Sequence, residues 1–137
     1  MAIDYKGLRL SGQADIIVKN GNDIYIGDWK TNKDLKTTSY YDKKKKSNVM
    51  MKFPLNNLQD CALQHYFLQL STYGFMLQQI NPDFVIKQLE IIHIDRDGKE
   101  TLYPVPYLKS DVERMINHYI KHQKIQKELD KDKPIKI

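Results

Sequence analysis

The chain has almost no cysteine and no long apolar run, and these absences exclude several common classes of protein. It contains a single cysteine, Cys61, which excludes an internal disulfide and any zinc or iron–sulfur site built only from cysteines of this chain. No apolar run reaches the roughly 18 to 20 residues that a helix needs to cross a bilayer, so we expect no membrane contact. Met1 to Gly7 lack the apolar stretch of a signal peptide, and we therefore expect a cytoplasmic protein.

The overall amino-acid composition is that of an ordinary globular domain. Of 137 residues, 41% are hydrophobic and 28% are charged, which is typical neither of a disordered chain nor of a membrane protein. A chain of this length can bury one hydrophobic core, so we expect a single domain over residues 1–137. The net charge of +5 comes mostly from lysine, including a run from Lys43 to Lys46. Such a run is either a solvated loop or a contact for a polyanion.

Apolar patterning and turn signals predict a mixed α/β or α+β domain with the order β-β-β-α-β-β-α. The expected strands are residues 5–10, 14–19, 24–29, 87–95 and 100–105, with hairpin turns at Asn20–Asp23 and Asp97-Gly98. Apolar residues at helical spacing predict a helix at about 57–80. A capping box from Ser110 to Glu113 predicts a second helix that ends near Leu129.

Two segments are expected to lack regular structure. Residues 31–52 are polar, lysine-rich and without periodicity, which is typical of a long, mobile loop. Residues 130–137 are rich in Lys and Asp and are expected to fray.

The first strong hairpin signal carries three residues with useful chemistry. If the loop spans Asn20–Asp23, or is a two-residue turn at its centre, antiparallel pairing sets Asp15 directly opposite Asp28. Lys30 lies two residues beyond Asp28 and so on the same face of the sheet. Two close carboxylates repel unless a cation neutralises them, and hard oxygen ligands of this kind suit Mg²⁺ or Mn²⁺. The same residues could instead form a surface ion pair at the end of a hairpin.

The residue patterns of three segments support the interpretation of these residues as a metal site. Gly12-Gln13-Ala14-Asp15, Ile26-Gly27-Asp28-Trp29-Lys30-Thr31 and Gln69-Leu70-Ser71-Thr72-Tyr73 follow one another in the chain. Together they resemble the RecB-like branch of the PD-(D/E)XK nuclease superfamily, which pairs a Gly-x-x-Asp strand with an Asp-aromatic-Lys-Thr strand and a Gln-x-x-x-Tyr helix. The resemblance covers about residues 8–77. It implies a restriction-endonuclease-like core, in which helices flank a mixed central sheet.

The resemblance also implies metal-dependent hydrolysis of DNA phosphodiester bonds, in repair, recombination or phage DNA processing. Asp15 and Asp28 would ligate Mg²⁺ or Mn²⁺, with the main-chain carbonyl of Trp29 as a further ligand. Lys30 would be the catalytic lysine. The side chain of Trp29 points to the opposite face from its neighbours, and we expect it in the core. Some relatives hold an iron–sulfur cluster on four cysteines, which this chain cannot form.

The helix motif and the lysine-rich loop would complete the site. Gln69 and Tyr73, one helical turn apart, would contact the scissile strand or its phosphate. His65 lies one turn before Gln69 and is the only histidine expected near the site. In the loop, cations can follow phosphates and tyrosines can stack on unpaired bases. The candidate contacts to DNA with a single-stranded portion are Lys33, Lys36, Tyr40, Tyr41, Lys43, Lys44, Lys45 and Lys46.

The chain departs from the family pattern before its first strand. Relatives commonly begin the core with a helix that supplies an acidic residue, whereas here little more than Met1 to Lys6 stands before the part of the sequence that resembles the family. We therefore expect either a piece of a larger parent protein, which would be a partner, or a minimal or inactive version. Two other functions stay open: a nuclease-fold module that binds DNA or a protein without cutting, and a structural domain of a larger assembly.

Overall fold

The chain folds into a mixed α+β structure, seen for residues 1–131 in a computed structural model. Its strands are β1 (Ala2–Tyr5), β2 (Leu8–Ser11), β3 (Ile16–Asn20), β4 (Asp23–Lys30), β5 (Tyr41–Asp42), β6 (Ser47–Asn48), β7 (Val85–Ile94) and β8 (Glu100–Val105). Its helices are α1 (Ala62–Ile80) and α2 (Lys109–Lys131). The predicted mixed class is confirmed. Neither α1 nor α2 combines the length and apolar character that crossing a bilayer requires, and the structure describes no other helix.

A four-stranded sheet with the order β3-β4-β7-β8 forms the centre of the structure. β4 runs parallel to β7, and the other neighbours are antiparallel. The β3–β4 turn contains Gly21 with a φ of 62°, a left-handed conformation that glycine adopts without strain. Asn20 pairs with Asp23 and Ile16 with Gly27, so the predicted register of this hairpin is confirmed.

Helix α1 covers one face of this sheet. Ile24 and Ile26 of β4 and Ile91 of β7 are buried there against Leu70 and Met76 of the helix. Burying apolar side chains of this size removes their surface from water and is the main stabilising contribution of the interface.

Helix α2 packs mainly against α1 rather than against the open face of the sheet. Val112 and Ile116 are buried with Leu68 and Phe75 of α1. The other face of the sheet carries Trp29, which is 54% exposed. The prediction that Trp29 belongs to the core is therefore wrong: it does lie on the opposite face from Asp28, but in residues 1–131 that face is left open to solvent.

The strand predicted at residues 5–10 is instead the β1–β2 hairpin. Its turn is Lys6-Gly7, and both residues have positive φ, 48° and 82°. Tyr5 pairs with Leu8, so the chain reverses within two residues, as in the hairpin turns that match strand twist.

Residues 31–61 contain more regular structure and more buried side chains than the sequence predicts. Leu35 and Met51 are buried, and the short β5–β6 hairpin holds the run from Lys43 to Lys46 at its tip. Oδ1 of Asp42 accepts hydrogen bonds from the backbone N–H groups of Lys44 and Lys45, at 2.9 and 3.3 Å. The helix predicted from residue 57 begins only at Ala62, because the chain before it forms turns.

The start of α2 is fixed by a contact with α1 and not by the predicted capping box. The helix begins at Lys109, so Ser110 lies within its first turn and cannot be the N-cap residue. Ser71 of α1 is fully buried, and its Oγ accepts a hydrogen bond from the N–H of Leu108 at 2.9 Å. The same hydroxyl donates to the carbonyl of Pro106 at 3.2 Å. At its other end α2 continues to Lys131, and residues 132–137 of the expected frayed tail lie outside the described residues.

Replacing Ser71 with alanine tests this link between the helices. Ser71→Ala leaves the Leu108 N–H and the Pro106 carbonyl without that partner, and we expect it to lower the free energy of unfolding by about 1–2 kcal/mol. Urea denaturation measures the change. Thr72→Ala is the matched control, because the Thr72 hydroxyl bonds only to the carbonyl of Leu68 in its own helix. Equal effects of the two substitutions would contradict the assignment.

Candidate active site

The end of β4 carries two polar residues on a face that is otherwise apolar. Ile24, Ile26, Asp28 and Lys30 alternate along the strand toward α1. Asp28 is only 4% exposed. A carboxylate in such a position needs compensating partners, because burial removes the water that solvates its charge.

Asp15 supplies the first of these partners across the hairpin. It ends the Gly-x-x-Asp segment and lies one residue before the start of β3, opposite Asp28. The backbone N–H of Asp15 donates to Oδ1 of Asp28 at 3.3 Å, and the N–H of Trp29 donates to Oδ2 of Asp15 at 2.9 Å. Each carboxylate therefore accepts a hydrogen bond from a backbone N–H of the segment that carries the other carboxylate.

Lys30 supplies the counter-charge. Its Nζ lies 2.7 Å from Oδ2 of Asp28 and donates to Oε1 of Gln69 at 2.9 Å. The same ammonium group lies 4.4 Å from the centre of the Tyr66 ring, where the ring face attracts a cation. Three neighbours therefore fix the position of the lysine head group.

Gln69 and Tyr73 extend this network along α1. Nε2 of Gln69 donates to the hydroxyl of Tyr73 at 2.9 Å, as the spacing of one helical turn allows. The Tyr73 ring in turn packs on Gly12, where an added Cβ would lie 2.5 Å from Cε1 of the ring. The glycine of the first motif therefore makes room for the tyrosine of the third. Asp15, Asp28, Lys30, Gln69 and Tyr73 form one continuous set of contacts.

The surroundings shift the pKa values of the two carboxylates in opposite directions. Burial raises the pKa of Asp28 above its ordinary value of 3.8, and the nearby Lys30 offsets only part of that effect. The hydrogen bond from the Trp29 N–H lowers the pKa of Asp15, which lies at the surface. A proton would therefore bind to Asp28 before Asp15 as the pH falls.

The arrangement fits a small, hard cation. Asp15 and Asp28 offer carboxylate oxygens side by side, the donors that Mg²⁺ prefers. In a β-strand the N–H and C=O of one residue point to the same side, and the N–H of Trp29 points to Asp15. The Trp29 carbonyl is therefore directed to the same side, beyond the last β3 residue that pairs with β4.

Across residues 1–131 no three His, Cys, Asp or Glu side chains cluster as a metal site. Water and substrate oxygens would complete the coordination.

The predicted nucleic-acid contacts lie along the segment that leaves β4, outside this network. Lys36 pairs with Asp34 at 2.7 Å, and Tyr40 and Tyr41 are exposed. Lys33 is exposed on the same segment, and Lys43 to Lys46 occupy the β5–β6 tip. His65 does not join the site: its Nε2 lies 2.7 Å from Oδ1 of Asp60.

Three residues that support the site, Tyr66, Asn32 and His93, were not predicted from the sequence. Tyr66 packs under Lys30, and its hydroxyl exchanges hydrogen bonds with the Asn32 side chain at 2.8 and 2.9 Å. His93 pairs with Lys30 in the β4–β7 register, is buried, and its Nε2 lies 2.7 Å from the Asn32 carbonyl. The position of Tyr66, three residues before Gln69 on one helical face, was the available signal for its role.

Comparison of the chain with protein-family models, with curated proteins and with solved structures gives no match.

Replacing Gly12 with alanine tests the packing of the first motif on the third. The new methyl group would displace the buried Tyr73 ring, and overpacking of this kind costs about 1–3 kcal/mol. We expect Gly12→Ala to lower the free energy of unfolding by that amount in a urea titration. Gly27→Ala is the control, because a Cβ there would meet Ile16 at an ordinary 3.7 Å. A Gly12→Ala protein as stable as the wild type would show that the ring does not need this space.

The opposite pKa shifts predict opposite pH dependences of stability. Because the pKa of Asp28 is raised in the folded state, that state binds a proton before the unfolded state does. The contribution of Asp28 to stability therefore grows as the pH falls from 7 toward 3.8 and is lost as the pH rises. Because the pKa of Asp15 is lowered, its contribution is present above about 3.8 and is lost as the pH falls through the lowered value.

Urea titrations in EDTA at several pH values, on wild type, Asp28→Asn and Asp15→Asn, measure both effects. On acidification, the stability of the wild type relative to Asp28→Asn should rise. Its stability relative to Asp15→Asn should fall at the acidic end. The same trend for both variants would refute the assigned environments.

Proposed function

We propose that this chain is a nuclease domain of the RecB-like PD-(D/E)XK type, which hydrolyses DNA phosphodiester bonds with Mg²⁺ or Mn²⁺. The observation that carries the proposal is the single hydrogen-bonded network that joins three motifs distant in the chain. An ion pair at the end of a hairpin explains Asp28 and Lys30. It does not explain why Gln69, Tyr73 and Gly12 are built around them.

The acidic residues would hold the cation. Asp15 and Asp28 would ligate it, with the Trp29 carbonyl as a third protein ligand. When bound, a divalent cation polarises a phosphoryl oxygen and lowers the pKa of a coordinated water. Its charge would also relieve the repulsion between the two carboxylates and the cost of burying Asp28.

Lys30 would act on the attacking water or on a phosphate oxygen. An ammonium group has three N–H donors, and contacts to Asp28 and Gln69 occupy two of them. The third is left to orient a water for in-line attack or to offset charge on the phosphate. Gln69, Tyr66 and Tyr73 would position this lysine, and Gln69 and Tyr73 would also contact the scissile strand. The resemblance further implies a product with a 5′-phosphate.

The segment after β4 supports DNA as the substrate. It passes from Lys30 through Lys33 and Lys36 to the exposed Tyr40 and the lysine tip of the β5–β6 hairpin. Cations along the backbone with aromatic rings for unpaired bases are the usual means of binding single-stranded nucleic acid.

A second candidate function is a module of the same fold that binds DNA or a protein without cutting. The observation that favours it is the small number of acidic groups at the site, where the described residues provide two carboxylates and no third acidic, histidine or cysteine ligand. Metal-independent DNA binding without cleavage would identify this alternative.

The proposal is tested by a cleavage time course on end-labelled single- and double-stranded DNA with Mg²⁺, Mn²⁺ or EDTA. We expect cleavage that needs the metal. Lys30→Ala should slow it by about 10²- to 10³-fold, because the substitution removes a donor from the charge that develops on the phosphate.

Lys87→Ala is the control for the loss of one positive charge. Lys87 is an exposed lysine on β7, near the end of the sheet opposite Lys30. We expect its cleavage rate to stay within about twofold of the wild type, because its charge is far from the reacting phosphate and screened by salt. Cleavage that persists unchanged in Lys30→Ala, or that proceeds in EDTA, would contradict the proposed site.

A further inference from the structure

A groove next to the candidate active site separates the segment after β4 from the N-terminus of α1. It is lined by Lys36, Thr38, Ser39, Tyr40, Asp60, Cys61, Ala62 and His65. The backbone N–H of Leu63 donates to the Lys36 carbonyl at 3.0 Å and so joins the two walls. Ala62 and Gln69 lie on the same helix, seven residues apart, which corresponds to about 10 Å along its axis.

The first turn of α1 has unpaired N–H groups, and one of their residues, Ala62, lines this groove. The N-cap residue Cys61 makes no side-chain cap, and the turn contains no acidic residue. The N–H groups of Leu63 and His65 are bonded to carbonyls. For Ala62 and Gln64, the described part of the chain provides no acceptor. The N-terminus of a 19-residue helix carries a partial positive charge, which favours an anion at this position.

Ser39 is a second and independent sign of a ligand. The residue is 8% exposed and lines the groove. Its backbone is satisfied, because its N–H donates to Oε1 of Gln59 at 3.1 Å and its carbonyl accepts from Asn48 at 2.9 Å. Its Oγ is nevertheless the one buried side-chain polar atom in residues 1–131 without a hydrogen-bond partner. An unpartnered buried hydroxyl is unfavourable in the free protein and is explained by an acceptor that arrives from outside.

The charges around the groove allow an anion to enter. Lys36 is bonded to Asp34, but both side chains are exposed, and such surface pairs are weak enough to exchange. The carboxylate of Asp60 is engaged by Nε2 of His65 at 2.7 Å. At the rim, Tyr40 is 76% exposed and offers a ring face.

We propose that this groove binds a second phosphate of the DNA strand whose scissile phosphate lies at Lys30, a role that rests on the proposed nuclease function. The Ser39 hydroxyl, the N–H groups of Ala62 and Gln64 and the Lys36 ammonium donate to the phosphate oxygens. Tyr40 stacks on an adjacent base. The separation of about 10 Å is short enough for neighbouring phosphates of one strand to reach both positions.

Amide chemical shifts provide the direct test of the site. ¹⁵N-labelled protein is titrated in EDTA with inorganic phosphate, and with a thymidine trinucleotide that carries or lacks a 5′-phosphate. We expect the largest shifts at Ala62 and Gln64. Shifts with both trinucleotides identify a backbone phosphate, and shifts only with the phosphorylated one identify a terminal phosphate. No shift at either amide with any of the three probes overturns the proposal.

Substitutions test the same site without any need for cleavage. Binding of fluorescent single-stranded DNA is measured in EDTA by anisotropy as a function of salt. Ser39→Ala should weaken binding about tenfold, because it removes a donor to a charged oxygen, while the stability of the protein stays the same or rises. Lys36→Ala should reduce the slope of log affinity against log salt by about 0.7, the value for one lost phosphate contact on a single strand.

Lys87→Ala again controls for net charge and should leave the slope close to the wild-type value. Wild-type affinity and slope in both Ser39→Ala and Lys36→Ala overturn the phosphate site. If these variants lose affinity while the wild-type protein cuts no DNA, the phosphate site stands and the proposed nuclease function fails. If the wild type cuts DNA and the variants bind normally, the failure lies with the phosphate site alone.

Discussion

The ion pair between Asp28 and Lys30 is the interaction around which the site is built. Asp28 occupies a position on β4 that apolar residues fill elsewhere along the same face, and a charge there is costly unless it is paired and hydrogen-bonded. Lys30 provides the pair at 2.7 Å, and Gln69 and Tyr66 of α1 hold the ammonium group in turn. Strand and helix are thus joined by polar contacts at one end of an interface whose buried residues on β4 and α1 are mostly apolar. The proposed function would bring a substrate phosphate to this end.

Signals between residues close in sequence were sufficient for much of this geometry. The turn at Asn20–Asp23 fixed the β3–β4 register, and that register alone set Asp15 against Asp28. Alternation along a strand placed Lys30 on the same face, and the period of a helix placed Gln69 beside Tyr73. Neither the alternation of a strand nor the period of a helix could show that the Gln69–Tyr73 motif contacts the β3–β4 hairpin. The family resemblance supplied that expectation, and the contacts of Lys30 with Gln69 and of Tyr73 with Gly12 are what the structure adds.

Other features depend on contacts between distant parts of the chain and could not be predicted from local patterns. The start of α2 is set by Ser71 on another helix, so the apparent capping box at Ser110 was misleading. Trp29 was expected in the core on the face opposite to its neighbours, but its exposure depends on whether another element covers that face of the sheet. The segment around Leu35 and Ser39 has a polar sequence, yet it is held in place by packing and by hydrogen bonds to Gln59 and Asn48.

The proposed function requires Asp15, Asp28 and the Trp29 carbonyl to hold a divalent cation, and a titration with Mn²⁺ measures whether they do. Mn²⁺ is paramagnetic and broadens the amide resonances of nearby residues, so substoichiometric Mn²⁺ added to ¹⁵N-labelled protein reports the position of the ion. If these residues hold the ion, we expect the resonances of Asp15, Asp28 and Trp29 to broaden first, excess Mg²⁺ to restore them, and Asp28→Asn to abolish the effect. Broadening centred on other acidic residues, such as Asp95 and Asp97 in the β7–β8 turn, with these three resonances unchanged, would contradict it.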